Sequence, residues 1–426
     1  IKPHGAEWRR LMADDVHVED RRALLRHELN SVSDVEAFYD DWQTESHRCT
    51  VTTIASRGDD LVVLDMRWTP ANDVDGPALE HLQICRWAAG RLVSVITFDP
   101  DDLRAAVDGI NRMFLASLDP ITAGEHQHPV RFLNSLRDRE LEPVMAVLGP
   151  DTVMVDHRPL GWGTEQRVDE LRERFRTLTE SKNSITELVR RFHHCSAQLI
   201  CIAIRVVNKS PEGAEFVDDH IVVSRTDPVT GFSIRMDQFA DEQLDEAMAL
   251  VDATLAEIEA EFPKPNLAVR AGTVANRAAR SGALEDLLAM LADDFVAELA
   301  DGRAVTVDDI RSGSIEPTEV GFGIADRRIE DAVVDRIALL SAALETGTRV
   351  WSIESVDGTG RIDRVTHITA DQPTIANHEY LVRAQEFVDD GPLPTILSFV
   401  VASQDRDRDA IRNVLTPDFS FTDHRE

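Results

Sequence analysis

The stretch Asp156-His157-Arg158-Pro159-Leu160-Gly161-Trp162-Gly163 sets a carboxylate, an imidazole and a guanidinium side by side, just ahead of two glycines and a tryptophan. A carboxylate beside a histidine can act as a general base or fix the imidazole tautomer. Further along, Arg235 and Asp237 stand two apart in a strand-like stretch, so they share one face. Turned into a pocket, they would bind an anionic or hydroxylated ligand, or open an epoxide with Asp156 as a second carboxylate. Both sets have a commoner fate. Asp156 can cap or turn the chain while Arg158 pairs at the surface, and Arg235 with Asp237 can form a buried or rim ion pair.

Other chemistry has less support. The two tyrosines, Tyr39 and Tyr380, fall where neither could join Asp156 in an oxyanion hole. His126-x-His128 reads as part of a loop before a helix, and the adjacent His193 and His194 point to opposite faces of a strand. A zinc site needs three or four converging ligands, so no metal is expected. Neither G-x-x-x-x-G-K-[ST] nor G-x-G-x-x-G occurs, and no cofactor is expected. Trp42, Trp68, Trp87, Trp162 and Trp351 read as core or pocket wall.

The elements that carry these residues recur. One phrase appears four times: Met12–Val16, Leu148–Thr152, Leu291–Phe295 and Leu415–Phe419, with spacings of 136, 143 and 124 residues between its aspartates. Such a period marks a domain, not a solenoid repeat. In the second copy, residues 129–148 read as two helices broken near 137–140, with Pro143 in the first turn of the second. A strand at 152–155, a loop at Gly161 and Gly163 and a helix at 166–179 follow. Strands at 187–195, 199–206, 220–225 and 232–239 come next, and a helix at 241–261 closes the unit. The aligned places hold Asp20-Arg21-Arg22, Leu299-Ala300-Asp301 and Asp423-His424-Arg425 for the first motif. For Arg235 and Asp237 they hold Ser94 and Ile96, then Arg364 and Thr366. Units sharing a reaction would share its residues, so at most unit two keeps a catalytic set.

This gives units at 1–122, 123–262 and 263–391, with 392–426 opening a fourth. Unit one lacks its first helix. A piece of a longer array is expected, since half-units leave sheet edges and apolar faces uncovered. The net charge of −32 argues against nucleic acid and anionic membranes as partners, and no apolar run reaches the length of a membrane span. Four of the 45 basic residues are lysine, a skew in the style of GC-rich actinobacterial coding. Cys49, Cys85, Cys195 and Cys201 form no C-x-x-C pair; Cys195 and Cys201, taken as one extended strand, lie too far apart to bridge. A reducing, cytoplasmic compartment is expected.

The helix-to-strand passages 284–295 and 141–152 resemble the SnoaL-like branch of the nuclear-transport-factor-2-like superfamily. The resemblance implies an α+β fold: tandem cones, each a curved antiparallel sheet wrapped by helices around a pocket. Some members of that superfamily are isomerases, polyketide cyclases or epoxide hydrolases, and others bind ligands or assemble without catalysis. The expected role is a non-catalytic small-molecule-sensing or assembly module of a larger signalling or regulatory protein. Its unit two would hold an apolar or hydroxylated ligand with Asp156, His157, Arg158, Trp162, Arg235 and Asp237. An enzyme using Asp156, His157 or Asp237 is the alternative, and a structural scaffold the third. Partners would be such a ligand, packing between units, or a second copy of the chain.

Overall fold

The computed structural model describes residues 6–41, 47–70, 78–159, 161, 165–181, 183–227, 230–261, 267–322, 327–331, 336–344 and 349–384. Trp162, the Asp423–Arg425 triplet and the expected fourth unit lie outside them. Unit one comprises α1 Ala6–Leu11, β1 Met12–Asp20, β2 His27–Leu29, α2 Val32–Asp41, β3 His47–Arg57, β4 Leu61–Pro70, β5 Leu79–Ala88, β6 Arg91–Phe98 and α3 Leu103–Leu115. Unit two comprises α4 Pro120–Arg137, α5 Leu141–Ala146, β7 Leu148–Asp156, β8 Gln166–Arg167, α6 Val168–Glu180, β9 Ser184–Cys195, β10 Leu199–Lys209, β11 Glu215–Thr226, β12 Ser233–Ala240 and α7 Leu244–Glu261. Unit three repeats this as α8 Leu267–Arg280, α9 Leu284–Met290, β13 Leu291–Glu298, β14 Ala304–Thr306, α10 Val307–Arg311, β15 Arg327–Asp331, β16 Ile337–Ala343, β17 Arg349–Val356, β18 Ile362–Thr369 and α11 Pro373–Ala384.

Each unit is α+β, with six strands in one sheet. In unit two the order is β8-β7-β12-β11-β10-β9, and the other units follow the same order. All neighbours are antiparallel except the first long strand and the last, which run parallel. The fourfold phrase has a structural meaning in the three described copies. Opposite the last strand, the register jumps between Met12 and His17, between Leu148 and Val153, and between Leu291 and Val296. The phrase is an irregularity of the bulge kind that places extra residues opposite the last strand, and its aspartates are exposed. The sequence alignment of the last strands also holds: Ser94, Arg235 and Arg364 pair with His17, Val153 and Val296.

In unit two, α4, α5 and α6 cover the inner face of the sheet around Val130, Leu133, Val144, Leu171, Phe175, Ile202 and Met236. The outer face carries Cys201, Ala203, Ile221, Val223 and Phe239, and α7 covers it through Ala247, Val251 and Ile258. Helices α3 and α11 cover the outer faces of units one and three in the same way.

Two expectations are corrected. The first helix of unit two starts at Pro120, not at Pro129, and so includes residue 122 and both His126 and His128. Asp119 caps it by accepting from Thr122 N at 3.0 Å, and Pro120 sits where a missing N–H costs nothing. Pro129 lies inside the helix and cannot donate to Glu125 O. The Cys195 thiol donates there instead, at 3.4 Å. Cys195 and Cys201 are likewise not on one strand. Cys195 ends β9 and pairs with Ile200, the residue before Cys201 on β10. They point to opposite faces, one packing with the inner cluster and one within the outer, and all four cysteines are free thiols.

Buried arginines join the units. Arg57, 1% exposed, ends β3 and donates to Asn111 Oδ1 at 2.9 Å and to Val189 O of unit two at 2.8 Å. Its guanidinium lies over the Phe192 ring, 5.1 Å from the centroid. At the other junction, Arg270 of α8 grips the buried Glu125 of α4 with two bonds of 3.0 Å. Among the described residues, no helix is long and apolar enough to cross a membrane.

Candidate functional site

Unit two encloses a cavity of about 440 Å³ between the inner sheet face and α4 and α6. Phe132, Leu133 and Leu136 of α4 and Phe175 and Leu178 of α6 form one wall. Ile200, Ile202, Ile204, Val206 and Val222, with Met154 and Met236, form the other. This size and lining suit a drug-sized apolar molecule. Polar groups gather at its two ends. Gln166, Arg174, Asp218, His220 and Gln238 stand near the outer end, where the cavity-lining Phe216 is 66% exposed. His128, Ser224 and Ser233 stand toward unit three.

Strand alternation decides which side chains reach this space. Asp156 pairs in register with Gln238, and Met154 with Met236, so these four share the cavity face. Arg158, just past the strand, folds back onto Asp156. It donates Nε to Oδ1 and Nη2 to Oδ2, both at 2.9 Å, and Nη1 to Asp218 Oδ2 at 2.8 Å. Its Nη2 also reaches Gln238 Oε1 at 3.3 Å. The Asp156 hydrogen bond holds the Arg158 pKa above its ordinary value. Gly161 makes this approach possible, since a Cβ there would lie 2.5 Å from Asp156 Cγ. His220 Nδ1 is 3.3 Å from Asp218 Oδ2, and this imidazole, with Arg158 nearby, holds the Asp218 carboxyl below the usual range. The turn-and-pair fate read for Asp156 and Arg158 is what the chain adopts, except that the pair is buried.

The other expected residues lie across the sheet. Arg235 and Asp237 do share a face, but not the cavity face, which Met236 and Gln238 occupy. Asp237 packs on the α7 side, 2% exposed. It accepts Arg235 Nε at 2.7 Å and Nη2 at 2.9 Å, and His157 Nε2 lies 2.8 Å from its Oδ1. The His157 ring stacks on Phe239 at 4.5 Å. Asp156 and Asp237 are therefore separated by the sheet and cannot act on one bound molecule. His126 packs between Phe114 and Phe192 where units one and two meet, while His128 faces the cavity. Among the described residues, no group of three or more His, Cys, Asp or Glu could hold a metal.

Unit one repeats the outer-end cluster. Asp20 pairs with Thr97 as Asp156 does with Gln238, and Arg22 grips Asp20 through Nε at 3.0 and 3.1 Å. His81 stands at the His220 position, since Leu82 pairs with Phe98 as Ile221 pairs with Phe239. Unit three has Leu299, Asp301 and Val350 at these places and lacks the cluster. The Asp-x-Arg repeat was read in the sequence, but its histidine was missed. The signal was there: Glu80-His81-Leu82 followed by Cys85-Arg86 matches Asp219-His220-Ile221 followed by Ser224-Arg225. Gln238, Arg174, Ser224 and Ser233 were missed as well, and nothing local to them points to a cavity.

No family model and no curated protein matches the chain. Solved structures do. An NTF2-like protein of unknown function from Exiguobacterium sp. 255-15 matches at 15% identity, over 26% of this chain and 95% of that one, with a TM-score of 0.22. AusH from Aspergillus nidulans matches at 18% identity, over 28% of this chain and 84% of that one, with a TM-score of 0.25. TerC, co-crystallised with polyporic acid, matches at 15% identity, over 29% of this chain and 95% of that one, with a TM-score of 0.24.

Proposed function

We propose that the chain is a small-molecule-binding module whose unit two holds the ligand, and that it senses or assembles rather than catalyses, as part of a larger signalling or regulatory protein. The cavity of about 440 Å³ carries this reading, with its apolar walls and polar ends. Burial of an apolar body supplies affinity, at roughly 25 cal/mol per Å² of surface removed from water. Gln238, Arg174 and the Arg158-held carboxylates orient a polar group at the outer end. The non-catalytic reading draws on the same geometry. Both oxygens of Asp156 are engaged by Arg158, and His157 and Asp237 face away from the cavity.

One observation favours a second reading. His220 faces the cavity and sits 3.3 Å from Asp218, an arrangement able to move a proton on a bound molecule. Native mass spectrometry of the gently purified chain tests the first reading. Extra mass lost on denaturation, and absent in Val222→Trp, which fills the cavity, is the expected result. A clean mass in both would remove the ligand-binding reading. Turnover that depends on His220 would replace it with the second.

A further inference from the structure

The end of the cavity nearest unit three has an electrostatic character that its apolar walls conceal. His128 projects from α4 into the cavity, and among the described residues its ring forms no hydrogen bond with protein. Burial pushes its pKa well below the ordinary value, and the charges of Arg277, Arg131 and Arg280 push it the same way. The imidazole is thus neutral, with one N–H free to donate.

The three guanidiniums differ in what neutralises them. Arg131 is paired with Asp286. Arg277 and Arg280 come from α8 of unit three and have no carboxylate partner among the described residues; both meet backbone carbonyls of unit two, and Arg280 also lies over the Phe232 ring. Arg277 donates to Ala197 O and Gly231 O, and Arg280 to Thr230 O at 2.9 Å and Ala146 O at 2.7 Å. Arg277 Nη1 is buried with no acceptor. Burial draws both pKa values down to about 10, so both stay charged at neutral pH. Glu125 acts on Arg277 as well, but Arg270 already holds both its oxygens. A smaller cavity of about 260 Å³ shares His128, Phe132 and Val147 with this one, and its carboxylates, Asp138 and Glu140, are exposed. Two positive charges therefore stand behind a neutral donor at the end of an apolar chamber. Ser224 and Ser233, their hydroxyls 2.8 Å apart, line the same end.

We propose that this end is an acid-binding subsite, taking the anionic oxygen of a ligand whose body is apolar, such as an aromatic or alicyclic carboxylate. It deepens the binding reading above and depends on it. In a low-dielectric chamber, a cation pair held by carbonyls and a ring, with no carboxylate of its own among the described residues, favours an anion far more than it would in water. The oxygen would accept from His128 and from a serine hydroxyl, and charge-assisted bonds of this kind are the strong ones. Ser224 and Asp218 are six residues apart on β11, about 20 Å at strand rise. An acid group at one end thus leaves the outer polar cluster for a hydroxyl or carbonyl at the other.

Titration calorimetry on the full chain with 2-naphthoate and 2-naphthamide tests this, because the two differ in charge and hardly in shape. The acid is expected to bind at least about tenfold more tightly. Arg280→Gln and His128→Gln are each expected to shrink that ratio. Equal affinities in the unmodified chain would overturn the acid assignment and leave the cavity as a binding site. A ratio unchanged in both variants would also overturn it. Binding of neither compound would overturn the subsite and the ligand-binding reading together.

Discussion

His157 Nε2 meets Asp237 Oδ1 at 2.8 Å on the side of the unit-two sheet that faces α7, while Asp156, its neighbour in sequence, lies on the cavity side. A run that reads as one catalytic phrase is thereby divided between two faces. On the α7 side, Asp237 is a buried carboxylate held by one arginine and one imidazole. Asp237→Asn removes the charge that both partners use, and the expected cost is about 2 kcal/mol of stability. Ligand uptake should not change, because the side chain does not reach the cavity. Urea unfolding and native mass spectrometry on the same variant separate the two effects. Lost uptake in a stably folded Asp237→Asn would put the binding site on the other face.

His81 makes unit one sensitive to acid. Its side chain is buried with Nδ1 unpartnered, and burial, then the charge of Arg22, pushes its pKa down to about 4 against a smaller opposing pull from Asp20. An unfolded histidine titrates near 6.5. The folded value is the lower one, so as pH falls the unfolded chain takes up the proton first. Stability is full above about pH 6.5 and declines toward pH 4, by up to about 3 kcal/mol at roughly 1.4 kcal/mol per unit. His81→Gln has no such proton to bind. Its urea midpoint should therefore fall less than the parent's between about pH 7 and about pH 5. Parallel declines would assign the acid sensitivity to other groups.

Much of the architecture was legible because hairpin ends are marked locally. Gly90, Gly231 and Gly360 all have positive φ just before the last strand of their units, a conformation that glycine adopts without strain. Helix α4 was not legible as far back as Pro120, and the reason is physical. Polarity was read against solvent, whereas this helix is buried between units. Glu125 turns to Arg270 of unit three, His126 to two rings at the junction with unit one, and His128 to the cavity. Polar residues on a helix packed on several sides carry no clean period. The orientation of β12 escaped for a related reason. Alternation puts Arg235 with Asp237 and Met236 with Gln238, but both faces are covered, so period alone does not tell which set meets the cavity.

Arg57 holds unit one against unit two with no carboxylate partner among the described residues. Burial draws its pKa down to about 9, and the guanidinium is retained by Asn111, backbone carbonyls and the Phe192 ring. Arg57→Met leaves Asn111 Oδ1 and Val189 O without this donor in a dry junction, a loss of about 2–4 kcal/mol. The loss should fall on the contact between units rather than within either core. Calorimetry is expected to show unit one melting separately, and proteases should cut first between α3 and α4. A single transition, displaced as a whole, would show that the units unfold together whatever Arg57 does.

Arg139 and Gly282 occupy the same turn between the first two helices of units two and three, and both are left-handed, with φ of +64° and +69°. Glycine accepts that conformation, while a side chain with a Cβ meets its own carbonyl there. Arg139 gains one exposed hydrogen bond in return, from Nη2 to Asn183 O at 2.8 Å. Such a bond contributes less than the backbone strain costs, so Arg139→Gly is expected to raise stability by about 0.5–1 kcal/mol. The reciprocal change, Gly282→Ala, is expected to lower it by about 1 kcal/mol, since space is open around the added Cβ and only the backbone objects. Urea midpoints at equal slope measure both. Opposite signs at equivalent positions would tie the effect to φ; a loss at both would assign the Arg139 turn to its bond with Asn183 instead.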